Sequence, residues 1–597
     1  MYRAVGETVD NSMTELTGTV EKITYRNDTN CYTVAEVRSG KETVTVVGTL
    51  PYLSEGDAAV FYGSYIMHPS YGRQLKAESF ERKTPQNAAA VLRYLSSGAI
   101  KGVGPSTAQR IVEKFGAESL DIIQNKPEEL ATIRGISLSK ALAVSEEYNK
   151  QYGVRDIVMM LSKYHISPER CLGIFKRFGT RSAELIKTNP YMLCEEGLDF
   201  HFETAEEIAE DLEFDKKSDL RICAGIEYIL RKNLANGHTC LPKEKLSEVA
   251  VKLLECDGDT VESCVERLIS SFKINVKSVN GTEYLFIPTY YSAEEHIAAR
   301  LTAVKKYIDR KVTVDKLEIE NVERRLGIVF EDLQRQAIFE AFESGILILT
   351  GGPGTGKTTT LNAIIKLFEN RELDIELAAP TGRAAKRMTE LTGKEAKTIH
   401  RLLEVEWTNE DKPQFARNEK NPLSCEVIII DEASMIDAVL FDNLLKALRL
   451  SCRIILVGDS DQLPSIGAGN VLNDILSSEL FPSIRLKKVF RQASQSKIIT
   501  NAHAIINGES PDFSKKDSDC FFLKRYDSAS VCNTVLELVK ERLPSAYGFD
   551  PIRDIQVLCP SRLLETGTVN LNNVLQSALN PHKNGTPQLS FKGIYLR

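Results

Sequence analysis

The chain has 597 residues, and at roughly 150 residues per domain this length predicts about four domains. Hydrophobic residues make up 42% and charged residues 26%, a globular composition that excludes a disordered tail, a collagen-like fibre and a small disulfide scaffold. The formal net charge of -7 argues mildly against a nucleic-acid-binding protein, although only a locally basic surface matters for that function.

The 12 cysteines include no C-x-x-C pair. The nearest cluster, Cys240, Cys256 and Cys264 with His238, fits no tetrahedral zinc template, so we expect reduced and mostly buried thiols. The N-terminus has no apolar core of a signal peptide, and no apolar run approaches the ~18 residues of a membrane span. We therefore expect a soluble cytoplasmic protein without a membrane partner.

Residues 1–84 are predicted to form a small β-barrel. Apolar and polar residues alternate over residues 17–25, and β-branched or aromatic runs at 44–48 and 58–62 lie between turn residues. Several short strands of this kind are typical of a barrel of the oligonucleotide-binding type. The alternative is a barrel that only packs against its neighbours.

Residues 85–212 have helical periodicity and an internal repeat. The segment 102–116 is echoed at 165–179, where the proline and the Phe-Gly pair align, and a shorter copy lies at 135–137. The pattern resembles helix-hairpin-helix repeats, in which bare N–H groups at a helix N-terminus hold a DNA phosphate.

The first copy keeps both glycines of the hairpin, Gly102 and Gly104. We expect these two residues to bind a phosphate, with Lys101 and Arg110 nearby, and we expect φ > 0 at Gly104. For the other two copies, structural packing is the favoured interpretation.

Residues 213–320 are predicted to be a helical connector that resembles a winged helix, or else a spacer. Two strand-like segments flank Asn280-Gly281, a dipeptide typical of a type I′ hairpin turn. The charged stretch 315–325 is the expected break before the next domain.

A phosphate-binding loop follows the apolar run 346–349. Residues 351–358 fit G-x-x-x-x-G-K-[ST] between a predicted strand and a predicted helix, the context that this motif requires. Backbone amides of the loop would surround the phosphates, Lys357 would neutralise β/γ oxygens, and Thr358 would reach Mg²⁺. The predicted nucleotide contacts are Gly351, Gly352, Pro353, Gly354, Thr355, Gly356, Lys357 and Thr358.

Two further apolar runs end in polar residues. The run 427–430 is followed by Asp431, a predicted Mg²⁺ ligand, and by Glu432, placed to activate a water on the γ-phosphate. An adjacent carboxylate of this kind favours hydrolysis over transfer to a small-molecule substrate. The run 453–457 leads to Gln462, whose amide can sense the γ-phosphate and its water.

Another strand precedes Pro380, Thr381 and a basic helix. This edge of the sheet is a candidate for nucleic-acid phosphate contacts, with Arg383 as a further contact. The alternative for Arg383, Lys386 and Arg387 is a solvated helix face.

Six segments follow one another in the order of the superfamily 1 helicase motifs: 351–358, 380–383, 398–401, 431–434, 458–464 and 490–492. The chain resembles the RecD-like DNA helicases, in particular the long form with an N-terminal extension, over nearly its whole length. The resemblance includes segments 94–105, 189–191, 237–239 and 571–576.

This resemblance implies a bacterial ATP-dependent helicase that uses ATP and Mg²⁺ and moves 5′-to-3′ on single-stranded and forked DNA in repair or recombination. No obligate protein partner is evident. A P-loop, RecA-like first lobe is expected at 321–480 and part of a second lobe at 481–597.

The family also implies roles for individual residues. Gln334 matches a glutamine that reads adenine, Arg491 matches an arginine on the γ-phosphate, and His400 lies in a DNA-contacting motif. Residues 404–421 occupy the place of a strand-separating pin; its Trp407 could equally be a packing anchor.

RecD-like helicases continue beyond the stretch that ends at residue 581 into two more motifs, and we find neither before residue 597. We therefore expect a C-terminally truncated chain. The predicted function is ATP-driven DNA unwinding; the alternative is a module that binds ATP and DNA but does not cycle.

Overall fold

The computed structural model describes most of the chain in two compact units. The first unit is Met1–Gly351 with Lys357–Leu486, and the second is Gly352–Gly356 with Lys487–Arg597. The residues described are 14–26, 32–40, 42–50, 53, 55–68, 72–82, 88–96, 100, 102–164, 166–195, 197–198, 200–308, 314–407, 413–489, 496–514, 518–581, 589–591 and 594–596.

The first unit begins with a closed barrel of strand order β1-β2-β3-β5-β4. Alternate residues of each strand point inward, so that Leu16, Val20, Phe61 and Leu75 fill the interior. The small barrel predicted from the sequence is therefore confirmed. Its strands are β1 (Thr14–Arg26), β2 (Tyr32–Ser39), β3 (Glu42–Thr49), β4 (Ala58–His68) and β5 (Gly72–Arg82).

A helical region follows the barrel and contains two matching hairpins. Gly102 has a φ of 94° and Gly135 a φ of 90°, and each begins the entry into a longer helix. Its helices are α1 (Ala88–Ser96), α2 (Pro105–Phe115), α3 (Ser119–Asn125), α4 (Pro127–Leu130), α5 (Leu138–Leu161), α6 (Pro168–Phe178), α7 (Ser182–Thr188) and α8 (Phe202–Asp211).

The same hydrogen bond closes both hairpins. The Val103 amide donates to the Ile100 carbonyl at 3.1 Å, and the Ile136 amide donates to the Ile133 carbonyl at 3.0 Å. The copy at 135–137 is therefore built like the first copy.

The expectation of φ > 0 at Gly104 is wrong. Gly104 is the N-cap of α2 with a φ of −92° and a ψ of 171°, an extended conformation open to any residue. The positions that match it are serines: Ser167 is the N-cap of α6, and the Ser137 hydroxyl accepts from the Lys140 amide at 3.2 Å. The left-handed residue of the hairpin is Gly102, two positions earlier.

The connector packs three helices on a small antiparallel sheet of order β6-β8-β7, as expected of a winged-helix-like unit. Asn280 and Gly281 both have positive φ, 51° and 83°, as the predicted type I′ turn requires. Buried Arg221 donates to the Glu206 carboxylate at 2.6 Å, which ties the connector to α8. The elements are α9 (Asp219–Ala235), β6 (Cys240–Pro242), α10 (Lys243–Leu254), α11 (Gly258–Ser270), β7 (Asn275–Val279) and β8 (Thr282–Phe286).

The motor lobe is a six-stranded sheet of order β11-β10-β14-β15-β9-β16, and every neighbouring pair is parallel. The strands are β9 (Ile346–Gly351), β10 (Ile375–Ala379), β11 (Ala396–Thr398), β14 (Val427–Ile430), β15 (Arg453–Gly458) and β16 (Ser483–Leu486). The inserted strands β12 (Val405–Trp407) and β13 (Pro413–Phe415) form a separate antiparallel pair.

Helices cover both faces of this sheet. Ile346 and Ile348 of β9 face one core, and Leu347 and Leu349 face the other. The helices are α12 (Pro288–Tyr307), α13 (Lys316–Leu326), α14 (Asp332–Glu343), α15 (Lys357–Glu369), α16 (Gly382–Thr392), α17 (Ile399–Leu402), α18 (Ala438–Ala447) and α19 (Val471–Ser477).

The motor core extends beyond the expected limits of 321 and 480. Leu301 of α12 packs on one face of the sheet and Ile319 of α13 on the other, while β16 extends the sheet to Leu486. The charged stretch 315–325 is therefore a helix of this core, because its few apolar residues lie on one face.

The second unit contains helices α20 (Lys497–Ile506), α21 (Ser528–Glu537), α22 (Leu543–Tyr547) and α23 (Thr568–Leu579) and the hairpin of β17 (Leu589–Phe591) and β18 (Ile594–Leu596). Buried Asn501 of α20 exchanges two hydrogen bonds with the Asp512 backbone, at 3.0 Å and 2.8 Å. This exchange holds the segment after α20 against the helix.

The two hairpin glycines give a matched pair of variants. Gly102→Ser places a side chain at φ 94° and should destabilise the hairpin by about 1–2 kcal/mol, whereas Gly104→Ser fits an extended N-cap and should be neutral or stabilising. Amide hydrogen exchange in α2 measures the difference, with exchange faster by roughly five- to thirtyfold only in Gly102→Ser. Equal exchange in the two variants would contradict the assignment of the left-handed position.

Candidate nucleotide and DNA sites

The parallel sheet brings its polar residues to one edge. Strands β9, β14 and β15 are buried along almost their whole length, and their carboxyl ends meet because all three run in the same direction. Ligands of open α/β sheets bind outside this edge. The predicted nucleotide contacts of the three strands therefore converge.

The phosphate loop leaves β9 and enters α15 directly, so that Lys357 is the first helical residue. Gly354 and Gly356 have positive φ, 75° and 88°, and the Thr355 hydroxyl donates to the Gly352 carbonyl at 2.8 Å. The helix N-terminus and the turned backbone fit the polyphosphate of a nucleotide.

Lys357 is a half-buried cation among carboxylates. Its ammonium group donates to the Gly351 carbonyl. Burial lowers the pKa of Lys357, and the negative charges of Asp459, Glu432 and Asp431 oppose that shift. The lysine is therefore placed to meet a negatively charged ligand.

Asp431 and Glu432 are two adjacent, partly buried carboxylates. Burial raises the pKa of both, and the charge of Asp431 raises the pKa of Glu432 further. The Asp431 carboxylate accepts the Glu432 amide at 2.9 Å, and Glu432 is in the left-handed region with a φ of 52°. Oxygen ligands of this kind, together with the Thr358 hydroxyl, fit Mg²⁺.

Gln462 lies on a turn that Asp459 holds. Asp459 is only 3% exposed; its carboxylate accepts the Asp461 amide at 3.1 Å and its carbonyl accepts the Gln462 amide at 3.2 Å. Asp461 pairs with Arg485 of β16 at 2.6 Å. The Gln462 side chain is exposed at the same edge of the sheet.

Sequence reasoning left two charged residues out of this site, although Arg387 was considered as a nucleic-acid contact or a solvated helix residue. Asp459 is the strongest opposing charge on Lys357, and Arg387 of α16 acts electrostatically on Lys357, Asp431 and Glu432. The signal for Asp459 was its place directly after a buried strand. Arg387 had no such signal, because it lies in the second turn of α16 and not directly after β10.

Gln334 is used in the structure as a helix cap. It is 3% exposed, and its Oε1 accepts the Glu331 amide at 3.0 Å in a capping box that begins α14. Contact with adenine stays a prediction. Arg491, the other predicted nucleotide contact, lies outside the described residues.

The predicted DNA contacts of the motor lobe follow two adjacent strands. Thr381 is the N-cap of α16 after Pro380, and its hydroxyl accepts the Ala384 amide at 3.3 Å, with exposed Arg383 in the first turn. His400 is exposed on α17, after β11, and its ring lies 6.1 Å from the ring of Phe415. Parallel β10 and β11 place both groups at one edge.

The insertion predicted at 404–421 contains an antiparallel hairpin in which Val405 lies opposite Phe415. Its base is held by an ion pair between Arg417 and Glu404 at 2.8 Å, and the Phe415 ring packs against the motor core. The hairpin is therefore anchored at its base, and its tip at 408–412 lies outside the described residues.

In the helix-hairpin-helix region, Arg110 is engaged within the fold. Its guanidinium donates to the Ser106 carbonyl at 3.1 Å and to the Arg134 carbonyl at 2.5 Å. Arg110 thus supports the second hairpin instead of extending into solvent, and Lys101 lies outside the described residues.

The cysteine cluster of the connector has no metal-binding geometry. Across the described residues, no group of three or more His, Cys, Asp or Glu side chains could hold a metal ion. None of the helices described in the chain is both long and apolar enough to cross a membrane.

Family models match four parts of the chain. An AAA domain matches residues 334–468, and the OB-fold domain of the ATP-dependent DNA helicase YrrC matches residues 13–85. A SAM-like helix-hairpin-helix tandem matches residues 93–150, and the HHH domain of the ATP-dependent RecD2 DNA helicase matches residues 150–240. The last match extends past the predicted boundary at 212 and includes α9.

Two curated relatives and one solved structure are similar to this chain. The ATP-dependent RecD2 DNA helicase of Deinococcus radiodurans is 28% identical over 593 residues, which cover 96% of this chain and 79% of that protein. The RecBCD enzyme subunit RecD of Mycobacterium tuberculosis is 38% identical over 217 residues, covering 32% of this chain and 36% of that protein. The crystal structure of Pif1 helicase from Candida albicans is 22% identical and covers 35% of this chain and 55% of that chain, with a TM-score of 0.25, too low to bear on the fold.

Replacement of the loop lysine tests the phosphate-binding geometry. Lys357→Ala removes a charge-assisted contact that contributes about 1.5–3 kcal/mol, so ATP affinity should fall roughly ten- to a hundredfold in an equilibrium titration. Lys366→Ala, in the exposed last turn of the same helix, is the matched control and should bind ATP like the unmodified chain. Unchanged affinity in Lys357→Ala would contradict the loop assignment.

Proposed function

We propose that this chain is a RecD-like ATP-dependent DNA helicase, which hydrolyses Mg-ATP to move 5′-to-3′ along single-stranded DNA and to separate forked DNA. The observation that carries this proposal is the meeting of Lys357 with Asp431, Glu432 and Asp459 at the carboxyl edge of one parallel sheet. A role in DNA repair or recombination, without an obligate protein partner, is part of the proposal.

The residues of the motor lobe divide the chemistry of hydrolysis between them. Thr358 and Asp431 would hold Mg²⁺, which would supply positive charge to the phosphates of the nucleotide. Glu432 accepts a proton from the attacking water; burial raises the pKa of this carboxyl and so brings it closer to the range that suits a general base at neutral pH. Lys357 stabilises the charge that develops on the phosphate oxygens.

Other residues of the ATP site recognise the nucleotide. Gln462 senses the γ-phosphate and its water from the turn held by Asp459. Gln334 reads adenine from the N-terminus of α14, and Arg491 contacts the γ-phosphate. The backbone from Gly351 to Gly356 surrounds the phosphates.

DNA is bound at two places through its backbone. In the motor lobe, Pro380, Thr381, Arg383 and His400 contact the single strand beside the hairpin of β12 and β13, which acts as the strand-separating pin. In the N-terminal half, the hairpin at Gly102–Gly104 presents a helix N-terminus to a phosphate. Such contacts position the protein without reading base sequence.

Removal of the proposed base should separate hydrolysis from binding. Glu432→Gln leaves the loop and Lys357 intact, so ATP should still bind, while DNA-stimulated steady-state ATP hydrolysis should fall by roughly 10²–10⁴-fold. Glu419→Gln, an exposed carboxylate of the same lobe, should retain full turnover. Absence of DNA-stimulated hydrolysis in the unmodified chain would instead favour a non-cycling ATP- and DNA-binding module.

Shortening the hairpin should separate hydrolysis from unwinding. Replacement of residues 406–414 by a short Gly-Ser turn keeps Val405 and Phe415. Because Phe415 is kept, its packing against the motor core still anchors the base of the hairpin. Single-stranded DNA should still stimulate ATP hydrolysis, but unwinding of a fluorescently labelled fork should be lost. Undiminished unwinding would contradict the role of the hairpin as a pin.

A further inference from the structure

The second unit places a histidine ring against the phosphate loop. His503 lies on α20, and both it and Gly352 belong to this unit. A Cβ atom added at Gly352 would lie 2.7 Å from Cε1 of His503 and 3.4 Å from its Nε2. The first distance is shorter than Cβ atoms in proteins approach other heavy atoms. The ring therefore occupies the space that any larger residue at position 352 would need.

The ring nitrogen at this contact has no partner. Nε2 of His503 is buried, and none of the residues that the structure describes gives it a hydrogen bond. Native proteins pair nearly all such groups, because a polar atom taken from water without a partner is costly. A packing role alone does not account for a ring nitrogen at this place, since a phenyl ring would fill the same space without that cost.

The neighbouring loop is the proposed binding site of an anion, and such an anion would supply the missing partner. Residues 352–356 form a turned backbone of the kind that surrounds a polyphosphate, and their glycines leave room for such a ligand. An imidazole Nε2–H is a hydrogen-bond donor in the neutral tautomer and in the protonated ring. A donor beside a phosphate loop and an acceptor-rich ligand in that loop are chemically complementary.

We propose that Nε2 of His503 donates a hydrogen bond to a β-phosphate oxygen of the nucleoside di- or triphosphate held by residues 352–356. This inference rests on the proposed nucleotide site and adds a binding residue to it. The contact gives α20 a direct interaction with the bound phosphates, separate from the backbone amides of the loop.

Two variants of the whole chain test the proposal. His503→Phe keeps a ring against Gly352 and removes the donor, so affinity for ATP or ADP in an equilibrium titration should fall roughly tenfold or more. His503→Gln keeps an amide donor and should recover part of that loss. Affinity for AMP, which lacks the β- and γ-phosphates, should be the same in both variants and in the unmodified chain.

Three outcomes would overturn the proposal: unchanged ATP affinity in His503→Phe, an equal loss for ATP and AMP, or no recovery in His503→Gln. Amide hydrogen exchange across residues 497–506 shows whether α20 is intact in each variant. If His503→Phe disturbs the helix, the ATP and AMP affinities of His503→Gln are compared with those of the unmodified chain instead. Lys357→Ala separates this test from the proposed function. If that variant loses ATP binding and His503→Phe does not, only the histidine contact is wrong; if neither loses it, the nucleotide site itself is wrong.

Discussion

The parallel direction of the motor strands is the constraint on which the site depends. Each of β9, β14 and β15 is covered by helices on both faces, so its interior positions must be apolar. Polar side chains can appear only where a strand ends, and parallel pairing brings those ends to one edge. Hydrophobic packing thereby brings together a lysine and three carboxylates that follow three different strands.

Burial then gives these groups their electrostatic character. Desolvation lowers the pKa of Lys357 and raises the pKa values of Asp431 and Glu432, and the attraction between the lysine and these carboxylates opposes all three shifts. Arg387 adds a second positive charge beside the acids. The proposed nucleotide and its metal ion would bring charges of both signs to this site.

The same loop that carries Gln462 also reaches the connector. After the turn held by Asp459, the chain continues to Gly469, whose amide donates to the Gly237 carbonyl at 3.0 Å. The connector is in turn tied to the helix-hairpin-helix region by the Arg221–Glu206 pair. Within the first unit, these contacts join the loop that carries Gln462 to the connector, and the connector to the helical region that contains the proposed DNA-binding hairpin.

The barrel, the Asn280-Gly281 turn, the phosphate loop and the strands that end at Asp431 and Glu432 were all predictable from the sequence. Alternation, turn chemistry and a buried strand followed by polar residues are local patterns, so a short window of sequence contains them. The Gly102 hairpin was also visible, although the residue with positive φ was misplaced by two positions.

Only the tertiary structure decided the rest. It places Asp459 and Arg387 near Lys357, engages Gln334 in a helix cap, draws α12 and α13 into the motor core, and sets His503 against Gly352. In most of these cases the residues in contact are distant in the chain. Their contact depends on how the helices pack on the sheet and against the phosphate loop. The sequence by itself determined which residues could carry the chemistry; packing between distant elements determined which of them meet, because proximity of that kind leaves no periodic signal in a single sequence.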